Sequence, residues 1–501
     1  MTFPFTHEQL PAINSKARLL RLVAFAGSGK TTTLVGYAAA RPNQRILYVC
    51  FNKSVEVEAR KRFPPHVTCK TSHGMAYAAL GKKYQHKLTG NLRLTDVGRA
   101  IGSQNWELIR SVLDTLNNFL SSASVGIELE HVPAERLRNE RMKRAAGNIV
   151  TATRRLWERM IDVNDEQVKI THDGYLKSWA LTNPDLTRRF DVVMCDEAQD
   201  INPMLAGILA DQAAHGCGVV VCGDGHQMLY RFRGAVDALE ADWLQKAETH
   251  YLTQSFRFGP AVATVANMLL HFKGETRPLA GLGKPTRVGK MLPENVEHYA
   301  VLCRTVIGVI ETALNAQAQS KKIFWIGGID GYNLQDIEDV HSLHRDRPDL
   351  IKGKRLLQEY KNFEEYKLTA VESNDGEMLR TIRIVEQYTR VLPQLFANLR
   401  RAAVTDELEA DMTVGTTHRA KGLEWDYVVL ADDFQFEPFN PENTREVFDD
   451  EMNLLYVGCT RAMRHLVING PVLDIMQEFV DRRDGRTPDT PLIFKRPVTL
   501  A

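Results

Sequence analysis

LLRLVAFAGSGKTTT, at residues 19–33, is the stretch on which the reading of the fold turns. Its first six residues are a short apolar run of the kind that fills a strand buried on both faces. The run breaks into Gly27, Ser28 and Gly29, then resumes at Lys30, Thr31 and Thr32 with residues compatible with a helix. Strand, glycine-rich turn and helix make the opening of a crossover unit, and such units assemble parallel sheets flanked by helices. Apolar runs recur at residues 46–49, 191–195, 218–222, 300–303, 322–326 and 427–430, each followed by a turn or a helix-like stretch. The expected fold class is therefore α/β, in two such units.

Two regions break this rhythm. Residues 84–168 carry Leu108, Ile109, Val112, Leu113 and Leu116 at helical spacing among many arginines, and residues 346–405 are helix-like and rich in charge. Both read as helical insertions. A chain of 501 residues is too long for one compact core, and its 44% apolar and 25% charged content is that of an ordinary globular protein. No apolar run reaches the roughly eighteen residues of a membrane span, and MTFPFTHEQL lacks the basic start and apolar stretch of a secretion signal. Several of the seven cysteines sit in strand-like runs and none forms a CxxC pair, which suits reduced thiols of a cytoplasmic protein rather than disulfides or zinc. Net charge is +1, from 63 basic and 62 acidic residues, so any nucleic-acid footprint has to be local.

The glycine turn has a chemical reading. Ala26, Gly27, Ser28 and Gly29 let backbone N–H groups turn inward and cradle phosphates at a helix N-terminus. Lys30 is then placed to reach the β- and γ-phosphates of ATP, the Thr31 hydroxyl to hold Mg²⁺, and Thr32 to join the nucleotide-binding residues. Ala24 stands where the G-x-x-x-x-G-K-T pattern has its first glycine. A chance glycine-rich turn is the bland alternative, which the strand before and the helix after disfavour. In DVVMCDEAQD, at residues 191–200, Asp196 at the strand tip suits Mg²⁺, and Glu197 suits orienting and deprotonating an attacking water. Acidic residues after a strand are as often only solvated, and the P-loop is what favours the hydrolytic reading. The long interval between Lys30 and Asp196 argues against a small GTPase or a nucleotide kinase.

GDGHQMLYRFRGA at residues 223–235, TQSFRF at 253–258, TTHRAKGLEWDYVVL at 416–430 and EMNLLYVGCTRA at 451–462 follow in order. With AGSGKTT and DEAQD they resemble the motif series of UvrD-like superfamily 1A helicases, over residues 6–466. CFNKS at 50–54, TSHGMAY at 71–77 and THDGYLK at 171–177 make the chain most similar to the helicase part of the F-box DNA helicases. With the P-loop strand beginning by residue 20, no F-box is expected ahead of the motor. The resemblance implies two RecA-like P-loop NTPase domains with helical insertions. Residues 1–83 and 169–255 would form the first domain with 84–168 inserted (1B), and 256–345 and 406–501 the second with a reduced insertion at 346–405 (2B). It implies a monomeric motor that hydrolyses ATP with Mg²⁺, moves 3′ to 5′ on single-stranded DNA, opens duplex at single-strand/duplex junctions, and serves DNA repair or recombination with protein partners. A motor that mainly strips recombinase or other proteins, and a partner-dependent ATPase subunit, are the alternatives.

Residue by residue, the same resemblance matches Gln9 to the glutamine that reads the adenine edge and Phe256 to the aromatic that stacks on the base. Gln227 matches the residue coupling the γ-phosphate to the DNA surface, and Arg257 and Arg461 match arginines that reach the γ-phosphate. Gly422 and Glu424 fall at the nucleotide, the carboxylate near the ribose. For the two arginines a surface salt bridge is the alternative. On the nucleic-acid side the matches are Asn52, Lys53, Thr71, His73, Tyr230, Phe232, Arg233, Thr417 and His418, with Phe232 where many relatives stack a Trp on a base. Cys50 takes the usual Phe position, beside Phe51. The basic run Arg136, Arg138, Arg141, Lys143, Arg144, Arg154, Arg155 and Arg159 is either a solvated face or a duplex-contacting one.

Overall fold

A computed structural model of the protein describes residues 5–50, 52–134, 136–138, 140–488 and 490–495. The chain divides into two compact units between Thr253 and Gln254.

In the first unit six strands, β1 (Leu19–Ala24), β2 (Ile46–Cys50), β3 (Val67–Thr71), β4 (Val192–Cys195), β5 (Gly218–Gly223) and β6 (Glu248–Leu252), form one sheet in the order β3-β2-β4-β5-β1-β6. Every pairing is parallel. All carboxyl ends therefore lie along one edge, so the segments that follow β1, β2, β3, β4 and β5 converge there, where open α/β sheets bind ligands. The central strands β2 and β4 are buried throughout and are the continuous apolar runs of the sequence. The flanking strands β3 and β6 are half-buried and read VTCKT and ETHYL, so they carry no such signal.

The stretch between helices Ser72–Ala79 and His172–Ala180 is built of helices Leu94–Ile101, Trp106–Ser121 and Glu140–Ile161, with short 3₁₀ turns. Ile109, Val112 and Leu116 face inward at helical spacing and share one apolar core with Leu47, Val49 and Val193 of the sheet. Two buried ammonium groups fasten this region. Lys87 Nζ donates to the carbonyls of Arg159, Asp162 and Asp165, and Lys177 Nζ donates to those of Ser122 and Ser124.

In the second unit β7 (Gln254–Ser255) and β8 (Ala280–Gly281) make a two-stranded pair. A seven-stranded parallel sheet is formed by β9 (Arg287–Gly289), β10 (Tyr299–Cys303), β11 (Ile323–Trp325), β12 (Ala403–Val404), β13 (Met412–Thr416), β14 (Trp425–Leu430) and β15 (Ala462–Val467), in the order β12-β11-β13-β10-β14-β15-β9. Residues 346–405 are helical up to Ala402 and then supply the edge strand β12, two residues long and too short to announce itself. Their buried Tyr360, Phe363, Tyr366, Phe396 and Leu399 join Val301, Trp325 and Met412 in one core, so this segment packs as a layer on the sheet.

All seven cysteines are buried and free. Among the described residues no helix is long and apolar enough to cross a membrane, and no cluster of three or more His, Cys, Asp or Glu side chains could hold a metal ion.

Candidate nucleotide site and nucleic-acid interface

The turn after β1 takes the shape its glycines permit. Gly27 and Gly29 have φ of 73° and 82°, in the left-handed region, and Gly29 begins the helix Lys30–Ala39 with no side-chain cap. A Cβ on Gly29 would lie 2.8 Å from Gln9 Nε2, so glycine is also what lets Gln9 approach. Gln9 is buried and donates to the Ser28 carbonyl at 3.5 Å, while the Ser28 hydroxyl donates to the Phe25 carbonyl at 2.7 Å. The loop is thus braced from inside, and the first-turn N–H groups of the helix are left for an anion.

Lys30 and Thr31 come next and meet the acidic segment that follows β4. Lys30 Nζ lies 3.4 Å from Glu197 Oε1, and Thr31 Oγ1 donates to Asp196 Oδ2 at 3.3 Å. Burial works against the Lys30 charge most strongly, yet Glu197, Asp224 and Asp196 together hold its pKa above the ordinary lysine value. Asp196 is pushed up by burial and by Glu197, against the pull of Lys30. Glu197 itself sits at φ 53°, a conformation uncommon for any residue but glycine. Gln199 holds it there: its buried Nε2 donates to Glu197 Oε2 at 2.6 Å, and its Oε1 accepts the Asp224 N–H at 3.0 Å. Asp224 in turn accepts from Gln227 Nε2 at 2.7 Å. Lys30, Glu197, Gln199, Asp224 and Gln227 therefore form one chain of contacts across the ends of β1, β4 and β5.

Several residues of this site carry no signal in the sequence. Gln199 and Asp224 lie inside the quoted motifs but carry no reactive signature, and Tyr48, whose hydroxyl donates to Asp196 Oδ2 at 2.7 Å, is hidden in an apolar strand. Conversely, Thr32 stands outside the cluster, exposed and accepting from Arg62 Nη2 at 3.0 Å.

In the second unit Arg257, Glu424 and Arg461 come together at the amino ends of β14 and β15. Arg257 Nε donates to Glu424 Oε2 at 2.6 Å and its Nη1 to the Thr460 carbonyl at 3.1 Å. The Arg461 side chain is 1% exposed and donates to the carbonyls of Val457 and Leu423 at 3.0 and 3.1 Å. Gly422 turns the chain with φ 87°, and Phe256 presents a half-exposed ring.

Comparison with known proteins finds two family matches in order along the chain. The UvrD/REP helicase N-terminal domain family matches residues 5–239, and the UvrD-like helicase C-terminal domain family matches residues 292–470. F-box DNA helicase 1 of Gallus gallus is 34% identical over 93% of this chain and 49% of its own length. The chain belongs to the UvrD-like helicases. F-box DNA helicase protein 1 of Schizosaccharomyces pombe is 28% identical over 91% of the chain and 56% of its own length. The putative ATP-dependent DNA helicase YjcD of Bacillus subtilis is 22% identical over 93% of the chain and 78% of its own length. The chain spans about half the length of the two F-box relatives.

The positions that the UvrD-like motifs assign to nucleic acid have clear structural duties as well. Asn52 caps the helix Lys53–Arg62 by accepting the Val55 N–H at 2.9 Å, and Thr71 caps Ser72–Ala79 by accepting that of Gly74 at 2.9 Å. Glu56, buried, joins the two: it accepts from Lys53 Nζ at 2.8 Å, from Arg60 at 2.6 Å and from the Thr71 N–H at 3.3 Å. Burial alone would raise the Glu56 pKa, but these donors hold it below the ordinary carboxylate value. His73 pairs with Asp173 at 2.9 Å, which brings TSHGMAY and THDGYLK side by side. Phe232 is 70% exposed, with its ring 6.3 Å from that of half-buried Tyr230. Thr417 is buried against the Cys303 carbonyl, and His418 beside it is half-buried at the carboxyl end of β13. Of the basic run, Arg136 pairs with Asp114, Arg154 with Glu128 and Arg159 with Asp165. Phe51 and the side chains of Arg138, Arg141 and Arg233 lie outside the described residues.

Proposed function

We propose that this UvrD-like chain is an ATP-driven motor on single-stranded DNA that moves 3′ to 5′ and opens duplex, serving DNA repair or recombination. The observation that supports it best is the contact chain from Lys30 through Glu197, Gln199 and Asp224 to Gln227. It joins a phosphate-binding ammonium and a candidate base to the segment that continues into the exposed Phe232. Glu197 is assigned to orienting and deprotonating water, with Gln199 holding its carboxylate and Lys30 meeting the phosphates. Arg257 and Arg461 are assigned to the charge that develops on the γ-phosphoryl oxygens.

The residues present also fit Mg²⁺. Asp196 and Thr31 set two hard oxygens 3.3 Å apart, with the half-buried Glu197 carboxylate next in the chain. Mg²⁺ bound there supplies neutralisation of charge on the β- and γ-phosphate oxygens.

The test is ATP hydrolysis and strand separation on duplexes with a 3′ or a 5′ single-stranded tail. Opening of the 3′-tailed substrate alone, with hydrolysis stimulated by single strands, is the expected result. Opening of the 5′-tailed one alone overturns the polarity. A second reading, a translocase that mainly strips bound proteins, is favoured by residues 346–405 packing as a layer on the sheet rather than standing as a separate body. Displacement of a bound protein without duplex opening would select it.

A further inference from the structure

Tyr48 reaches the nucleotide site from outside the quoted motifs. It sits in the middle of β2, with its ring fully buried and 4.4 Å from that of Phe63. A central strand in this position needs only an apolar side chain, and burying a phenol hydroxyl is costly unless it is hydrogen-bonded. Here the hydroxyl donates to Asp196 Oδ2 at 2.7 Å, and the Glu197 backbone N–H donates to the other oxygen, Oδ1, at 2.9 Å. Asp196 is therefore pinned through both oxygens, by a side chain of β2 and by the backbone of the turn that follows β4, while Oδ2 also accepts from the Thr31 hydroxyl at 3.3 Å.

We propose that Tyr48 is a positioning residue for the divalent cation, fixing the rotation of the Asp196 carboxylate so that Oδ2 is held toward the Thr31 hydroxyl. This rests on the reading of the site as one for ATP and Mg²⁺. A carboxylate free to rotate must be ordered when it binds a cation, whereas one already held by Tyr48 and the Glu197 N–H is not. The effect belongs in cation affinity and not in the nucleotide's own contacts. Partners that orient metal ligands typically matter by about 10- to 100-fold in metal affinity.

The experiment compares the full chain with its Tyr48→Phe variant, which keeps the ring against Phe63 and removes only the hydroxyl. Binding of a fluorescent ADP analogue is titrated with Mg²⁺, and repeated without any divalent ion, alongside thermal melting. The expected result is a rise of about tenfold in the Mg²⁺ concentration for half-maximal tightening, with Mg²⁺-free binding unchanged. Melting decides whether packing was kept; if the variant melts early, the titration is run well below its melting temperature and is read in the same way. An unchanged Mg²⁺ midpoint in Tyr48→Phe overturns the role of Tyr48 and leaves the nucleotide reading standing. Nucleotide binding by the parent chain that is indifferent to Mg²⁺ overturns the cation site and with it the role of Tyr48, and failure of the parent chain to bind nucleotide overturns the nucleotide reading itself.

Discussion

Glu197 is held by Lys30 on one oxygen and by Gln199 on the other, at 3.4 and 2.6 Å, in a backbone conformation that carboxylate residues rarely adopt. The two grips differ in kind. Lys30 supplies charge and is itself a phosphate ligand in the proposed reaction, whereas Gln199 supplies only direction.

Replacing Glu197 by Gln removes the base and keeps the shape. Turnover of ATP in the variant should fall by about 10²- to 10⁴-fold, with nucleotide and single-stranded DNA binding retained. Single-turnover hydrolysis set beside equilibrium binding checks this, and normal turnover would remove Glu197 from the assigned role.

Lys30→Ala should lose ATP-dependent strand separation altogether, because the ammonium is assigned to the phosphates and is the counter-charge for Glu197, Asp224 and Asp196. An unwinding assay with saturating ATP is sufficient. A variant that opens duplex as the parent does would end the proposal of an ATP-driven motor.

The two arginines of the second unit should part company in a stability measurement. Arg461 is buried and satisfies the carbonyls of Val457 and Leu423, so Arg461→Ala is expected to cost about 1–3 kcal/mol as well as activity. Arg257 pairs with half-exposed Glu424, so Arg257→Ala should lose activity with a smaller change in melting. Calorimetry of the three proteins decides, and identical melting curves would contradict the structural half of the expectation.

Phe232→Ala should weaken single-stranded DNA binding by about 1–3 kcal/mol, the worth of one stacked base. Since the ring is 70% exposed, folding stability should move by no more than about 0.5 kcal/mol. Fluorescence anisotropy with a short labelled oligonucleotide measures the first quantity, and unchanged affinity would take Phe232 off the nucleic-acid path.

Lys177 makes a pH prediction. Burial lowers its pKa from 10.5 to about 8, so between these values the unfolded chain keeps a proton that the folded chain has released. Stability contributed through this group is therefore lost as pH falls through about 8 and is fully present above 10.5. Relative to Lys177→Met, the parent should gain stability as pH rises from 8 to 10, as read by denaturant unfolding. A pH-independent difference would show that the ammonium is not desolvated as the structure indicates.

Much of this architecture is legible in the sequence. Strands buried on both faces, such as β2 and β4, advertise themselves as unbroken apolar runs, and the P-loop, Asp196 and Glu197 are read from side-chain chemistry at the ends of such runs. Edge strands gave no signal, because one side of β3 and β6 meets solvent or polar neighbours. β13 is wholly buried yet was also missed: its threonines and Gly415 interrupt the apolar pattern, while the His298 and Glu407 side chains satisfy Thr413. Site residues that act through another residue were invisible for a related reason. Tyr48, Gln199 and Glu56 declare their roles only when tertiary contacts show what they hold. Asn52 and Thr71 were expected at nucleic acid, and a sequence reading had no view of their second duty as helix caps.

The seven cysteines have a practical side. Each is buried, and burial raises the thiol pKa, to about 12 for Cys50, Cys303 and Cys459 and to about 11 for Cys69. Maleimide and similar reagents attack exposed thiolates, so the folded chain should be almost silent toward them. A single cysteine introduced on the surface could then carry a fluorophore with the native thiols left in place, and distance changes during ATP turnover could be followed on otherwise unaltered protein.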